Sequence, residues 1–211
     1  MQKSIGMTIQ NLGGQVASVW EALLPTTRNL VERALLSTAT SSGARANVSY
    51  DARAEWELSR LLTALDERAA EAGALALNPE QLRELLHMAA VCVTVLRNEA
   101  RSAEVFAQLL KRALHLCDYR CIDSLADTLT ARIAPSEVCE LARVPDLAVR
   151  IIAQEALMQM PTSALVELLG DPVDSRIARE AIKRQAEEYG SEEARWVVNE
   201  FIRTDASEDE I

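Results

Sequence analysis

Apolar residues recur along most of the chain at the three- and four-residue steps of an α-helix. Between residues 79 and 133 they form three successive stripes. An apolar position on every turn marks the face that a helix packs against its neighbours. Asn78 and Gln81 predict the start of the first of these helices, because each side chain can satisfy a free backbone N–H of the other residue. The pattern predicts helices of about 12 to 20 residues joined by short turns, and therefore antiparallel neighbours.

The N-terminal stretch carries a narrower apolar seam with a period of about 3.5 residues. Its members are Ile5, Ile9, Leu12, Val16, Val19 and Leu23. This spacing is typical of a helix that packs lengthwise on one partner. Gly13 and Gly14 interrupt the seam, and each costs up to about 1 kcal/mol relative to alanine in a helix interior. Two interpretations stay open: the seam docks on its own domain, or it binds a partner or a second copy of the chain.

The composition changes along the chain in a way that predicts four regions. Residues 1–36 form an N-terminal amphipathic helical segment, and residues 37–49 read "STATSSGARANVS". Small polar residues without periodicity are typical of a flexible linker. Residues 50–204 form a helical-repeat domain, and residues 205–211 form an acidic tail.

Two segments in the C-terminal half repeat each other with a period of 26 to 27 residues. The equivalent positions are Pro135-Ser136 with Pro161-Thr162, Pro145 with Pro172, and Arg150 with Arg176. Each copy reads as a short helix, a turn containing Pro and Asp, and a longer helix. Neither helix pair can bury both of its faces alone, so stacked neighbours must complete the core.

These copies resemble the leucine-rich repeat variant family and, more broadly, HEAT-like α-solenoids. The matching residues are Pro145, Asp146, Val149, Arg150, Ala153, Ala156 and Leu157, with Asp171, Pro172, Arg176, Ala178 and Ala181 in the second copy. The resemblance implies an all-α fold of antiparallel helical hairpins, stacked as a short HEAT-like α-solenoid whose concave or edge surface binds another molecule. It also implies a structural role for Arg150, which we expect to pair with Asp146, four residues earlier.

Three cations of the second copy share one helical face. Arg176, Arg179 and Lys183 recur at i, i+3 and i+7, and Arg184 follows directly. This face is either simply solvated or a contact surface for an acidic partner or a phosphate. The formal net charge is −10, and nine acidic residues against two arginines give residues 187–211 a balance of −7. An acidic end opposes phosphate binding, so nucleic acid is the weaker alternative.

Few residues suggest chemistry. The chain has two histidines and no phosphate-binding loop, dinucleotide fingerprint or zinc-protease motif. Some members of the leucine-rich repeat variant family carry an iron–sulfur cluster, which needs a compact run of thiolates. Here Cys117 and Cys121 are four residues apart, and together with His115 they leave a metal site open as a second alternative. Core packing is the other interpretation of the cysteines, and we expect no cofactor.

Composition restricts the class of protein further. Apolar residues make up 49% of the chain but aromatic residues only 4%, which favours an all-α protein with a sizeable core. No run of 18 apolar residues predicts a membrane span, and no signal peptide is apparent. Four cysteines without disulfide-framework density predict a reducing compartment, and thus the cytoplasm. We therefore expect a non-catalytic protein–protein interaction or scaffold module, able to form a homodimer through its N-terminal segment.

Overall fold

The computed structural model describes residue 9 and residues 11–39, 50–71 and 77–202. All regular structure in these residues is helical, as the composition and the apolar pattern predict. The chain divides into two compact units, Met1–Ala100 and Arg101–Ile211.

The described part of the first unit includes four helices whose bounds can be given. They are α1 (Gly14–Ala22), α2 (Pro25–Ala39), α3 (Ala52–Glu71) and α4 (Pro79–Glu99). The long helices α3 and α4 pack against each other; α1 packs on α3, and α2 contacts both long helices. Of the linker predicted at 37–49, the first three residues belong to α2, and residues 40–49 lie outside the described part of the chain.

Side chains of α3 fix the direction of α1. Near the C-terminal end of α3, Arg68 donates a hydrogen bond from Nε to the carbonyl of Leu12 over 2.9 Å. Near its N-terminal end, Glu57 accepts hydrogen bonds from the backbone N–H of Leu24 (3.0 Å) and the hydroxyl of Thr27 (2.5 Å). The segment from Leu12 to Leu24 therefore runs antiparallel to α3, and Glu57 satisfies groups at the start of α2 that have no partner within that helix.

The structure explains why glycine occupies position 13, which the sequence pattern does not reveal. The φ of Gly13 is +126°, a backbone conformation that favours glycine. A Cβ there would also lie 3.0 Å from Nε of Arg68, the nitrogen that bonds Leu12. Gly13 precedes the first residue of α1, so this pair of glycines marks the start of a helix and not a weak point within one.

The second unit contains seven α-helices in its described part. They are α5 (Ala103–His115), α6 (Tyr119–Arg132), α7 (Pro135–Leu141), α8 (Leu147–Gln159), α9 (Thr162–Val166), α10 (Ser175–Glu188) and α11 (Glu192–Val197), with a 3-10 turn at Glu167–Gly170 and a π-helical turn at Val198–Ile202. The two sequence copies are thus two pairs of a short and a longer helix. Helix α8 packs on α7 and contacts both α6 and α10, and α5 packs on α6 and α7.

Local polar contacts set several helix ends. Asn78 and Gln81 exchange the two hydrogen bonds of a capping box, 2.8 and 3.1 Å long, which confirms the predicted start of α4. Cys117, two residues after the end of α5 at His115, has a φ of +54°. The N–H of Cys117 bonds the carbonyl of Leu114 (3.1 Å), and that of Asp118 bonds the carbonyl of Ala113 (2.9 Å). These are the bonds of a Schellman motif, whose left-handed residue is usually glycine.

Candidate binding groove between helices α8 and α10

A groove lies in the second unit between α8 and α10, beside the end of α7. Its volume is about 400 Å³. The lining combines four arginines, one glutamate, one glutamine and apolar side chains. These residues are Ala142, Arg143, Arg150, Gln154, Leu157, Met158, Arg176, Ile177, Glu180, Ala181 and Arg184. The formal charge of this lining is +3, in a chain whose net charge is −10.

Helical spacing explains how the polar wall of α10 forms. Arg176, Glu180 and Arg184 are four residues apart, and such residues lie one above the other on a helix surface. Arg150 and Gln154 have the same spacing on α8. Arg150 and Arg176 thus line the same groove. They occupy equivalent positions in the two sequence copies.

The four arginines differ in their partners. Arg143 forms a short ion pair with the buried carboxylate of Asp174, which joins the end of the first short helix to the turn before α10. Arg184 makes two hydrogen bonds to Glu188, 2.8 and 3.2 Å long, and this contact raises the pKa of the guanidinium. Arg150 and Arg176 form no ion pair with any residue in the described part of the chain. These two guanidinium groups keep their hydrogen-bonding capacity for a ligand.

The groove continues into an exposed apolar strip on α8. Leu147, Ile151, Gln154 and Met158 follow each other at steps of four, three and four residues, so they share one face of the helix. Gln154 and Met158 line the groove, whereas Leu147 is 62% exposed and Ile151 is 55% exposed. Leu147 and Ile151 thus add exposed apolar surface beside the cationic groove.

A buried glutamine links the two helices that form the groove. Gln185 of α10 donates from Nε2 to the carbonyls of Met158 (3.0 Å) and Met160 (2.7 Å), at the end of α8. Its Oε1 accepts a hydrogen bond of 3.0 Å from the hydroxyl of Thr162, which is also buried. Since buried polar groups must find partners, these bonds hold the end of α8 and the start of α9 against α10.

The cationic face predicted from the sequence is divided by the structure. Successive residues of an α-helix are about 100° apart, so Glu180 and Arg184 lie about 40° and 80° to one side of Arg176. Arg179 and Lys183 lie about 60° and 20° to the other side and do not line the groove. Only Arg176 of the predicted trio belongs to this surface.

Arg143 and Arg150 belong to the groove but were not predicted there. The carboxylate of Asp146, the expected partner of Arg150, instead accepts a hydrogen bond of 3.1 Å from the N–H of Val149. It therefore caps α8, while Arg150 faces the groove. The equivalence of Arg150 with Arg176 was the available signal for Arg150. No sequence signal pointed to Arg143, because it lies in the turn between α7 and α8, outside the helical periodicity.

The N-terminal seam lies in the core of the first unit. Ile9, Leu12, Val16 and Leu23 are buried and Val19 is half-buried, whereas Ile5 lies outside the described residues. Helix α3 of the same chain packs on α1, which carries Val16 and Val19. The burial matches the interpretation that the seam docks on its own domain. The use of the same seam by a partner stays a prediction.

The candidate metal ligands do not converge in the structure. His115 and Cys117 are exposed and Cys121 is half-buried, and no group of three metal-binding side chains occurs in the described residues. Cys92 and Cys139 are buried. Burial, with the carboxylates of Asp174 and Asp171 nearby, raises the pKa of the Cys139 thiol to about 12. That thiol is therefore protonated near neutral pH and is a weak nucleophile.

Among the described helices, none combines the length and the apolar character that a membrane crossing requires. The chain matches no family model, no curated protein and no solved structure with which it was compared.

Proposed function

We propose that this protein is a non-catalytic protein–protein interaction module of helical-repeat type, and that the groove between α8 and α10 is its binding surface. One observation carries the proposal: Arg150 and Arg176 line the same groove and have no ion-pair partner in the described chain. Two guanidinium groups, one exposed (Arg176) and one half-buried (Arg150), beside apolar side chains suit a protein surface with carboxylates and apolar residues.

A short HEAT-like stack is the architecture that we propose for the second unit. It is supported by the two successive pairs of a short and a longer helix, and by the contacts of α8 with both α6 and α10. The ion pair from Arg143 to Asp174 also links the turn of the first pair to the turn of the second. In such an array each repeat buries its apolar faces against its neighbours, which leaves the outer helix faces available to partners.

Nucleic-acid binding is the second candidate function, because four arginines line one groove. In this alternative the basic face at 176–184 would contact phosphates, with a strong dependence of affinity on salt. The formal net charge of −10 and the glutamate within the groove favour the protein partner.

The test compares two charge reversals of equal size. Arg150→Glu/Arg176→Glu changes the groove, and Lys111→Glu/Arg120→Glu changes two exposed cations of α5 and α6 outside it. Tagged proteins are used for affinity capture from the cells of origin, after nuclease treatment and at two salt concentrations. We expect the groove variant to lose its protein partners and the control variant to keep them, with both variants folded by circular dichroism.

The results separate the candidates. If the groove variant captures the same proteins as the unchanged chain, the groove is not the binding surface and the proposal fails. If nuclease removes all groove-dependent capture, nucleic acid is the ligand.

Self-association through the N-terminal seam is a separate proposal. Because Ile9, Leu12, Val16 and Leu23 are buried within the chain, a dimer formed by them requires exchange of the segment between two copies. Sedimentation of the full chain and of a chain that starts at Tyr50 tests this proposal. If both chains sediment as monomers over the accessible concentration range, self-association through the seam is refuted.

A further inference from the structure

We infer that the groove between α8 and α10 binds an amphipathic helical segment of a partner protein, with an acidic edge facing Arg150 and Arg176. The inference rests on the proposed function and deepens it, because it names the chemistry of the partner. Such a segment would place carboxylates on the two arginines and apolar side chains on Leu147 and Ile151.

Charge complementarity determines the acidic edge. A guanidinium group presents N–H donors in a planar fork that matches a carboxylate, so each of the two arginines can take one acidic side chain in a bidentate contact. Arg143 and Arg184 already hold the carboxylates of Asp174 and Glu188. The remaining donors, Arg150 and Arg176, lie on the two opposite helices of the groove.

Apolar surface determines the amphipathic character. Leu147 and Ile151 are exposed, are one helical turn apart, and share the α8 face with the groove-lining Met158. A partner helix presents apolar side chains at steps of three and four residues, which match this strip, while an adjacent row of its residues faces the arginines. A purely acidic, extended chain would leave the strip in water.

The same lining argues against nucleic acid as the occupant. Single-stranded nucleic acids are usually held by aromatic side chains that stack on bases, and no aromatic residue lines this groove. Glu180 stands between Arg176 and Arg184 on the wall of α10, and Glu188 neutralises Arg184. A phosphate backbone would meet these carboxylates, whereas a helix can place a neutral residue opposite Glu180.

The experiment uses the intact chain and four fluorescent probes of defined composition. The first probe is a helical peptide of about 15 residues, or roughly four turns, with leucines on one face and glutamates along one edge. In the second the glutamates are replaced by glutamines, and in the third the leucines are replaced by serines. The fourth is an oligothymidylate of comparable length. Fluorescence anisotropy gives the dissociation constant of each probe for three forms of the protein. These are the unchanged chain, the groove variant Arg150→Glu/Arg176→Glu and the control variant Lys111→Glu/Arg120→Glu.

We expect the first probe to bind best. Replacing either its glutamates or its leucines should weaken binding by about tenfold, because each replacement removes two partly exposed charge pairs or two apolar contacts. The groove variant should bind the first probe more weakly by at least the same factor, whereas the control variant should bind it with unchanged affinity. Leu147→Ser/Ile151→Ser should weaken the first probe but not the third.

Three results would overturn the inference: tighter binding of the oligothymidylate, equal binding of the glutamine peptide, or equal weakening by the groove and control variants. If these peptides fail while groove-dependent capture of a protein persists, the inference is wrong and the proposed function stands. If capture does not depend on the groove, the proposed function itself fails.

Discussion

Replacing Gln185 with leucine removes the buried polar contact that joins α10 to the connection between α8 and α9. Gln185 is only 3% exposed, and it holds two carbonyls and the hydroxyl of Thr162. Leucine fills a similar volume but can form none of these hydrogen bonds. Each lost bond costs about 1 kcal/mol, and buried groups left without a partner cost more. After the apolar gain from leucine is subtracted, we expect a loss of about 2–4 kcal/mol in the free energy of unfolding.

Urea unfolding followed by tryptophan fluorescence measures this loss. The chain has three tryptophans, so Trp20→Phe/Trp56→Phe leaves Trp196 as the only reporter, within the unit that contains Gln185. Gln154→Leu is the matched control, because Gln154 is exposed and its replacement should change stability by no more than about 0.5 kcal/mol.

A double-mutant cycle tests the stated cause. Thr162→Val removes the hydroxyl that donates a hydrogen bond to Oε1 of Gln185. The loss of unfolding free energy in the double variant should therefore be smaller than the sum of the two single losses. A loss below about 1 kcal/mol for Gln185→Leu, or strictly additive losses in the cycle, would contradict the assignment of this side chain as the link between α8 and α10.

Two further predictions concern stability. Burial alone raises the pKa of Glu57, but hydrogen bonds from Thr27, the Leu24 N–H and Arg53 outweigh it, so the folded pKa lies below the ordinary 4.5. This stabilisation is present above pH 4.5 and is lost as the pH falls through the folded pKa. Glu57→Gln should thus cost about 1–3 kcal/mol at pH 7, with a gap to the unchanged chain that narrows in acid denaturation series; a gap independent of pH would refute it. Cys117→Gly should raise the free energy of unfolding by about 0.5–1 kcal/mol in urea titrations, because glycine adopts φ +54° without strain; a destabilised variant would contradict that reasoning.

The helices and several of their boundaries were predictable because their causes are local. The capping box at Asn78 and Gln81 needs only residues within one turn, and the structure forms both of its bonds. The short and longer helices of the two sequence copies also begin close to the predicted prolines. The glycines at 13 and 14 do interrupt the seam, since the helix begins only at Gly14, but the approach of Arg68 to Gly13 comes from another helix and has no local signal in the sequence.

The candidate site was less predictable, because it depends on which helix faces meet. Periodicity grouped Arg176 with Arg179 and Lys183, yet the groove takes Arg176 together with Glu180 and Arg184. The spacing of three cations along one helix is the same whether or not a neighbouring helix packs beside them, so the sequence does not show which of them it contacts. The packing of α8 on α10 decides which of them share a groove.

The sequence by itself determined that this chain is helical, where its apolar faces lie and that two segments repeat, since backbone hydrogen bonding, capping and helical periodicity act over a few residues. Only the tertiary structure decided that Ile9, Leu12, Val16 and Leu23 of the N-terminal seam are buried, and that Arg150 lines a groove together with Arg176. Those outcomes depend on contacts between residues far apart in the chain. Such contacts are set by the packing of side chains, and no local pattern encodes them.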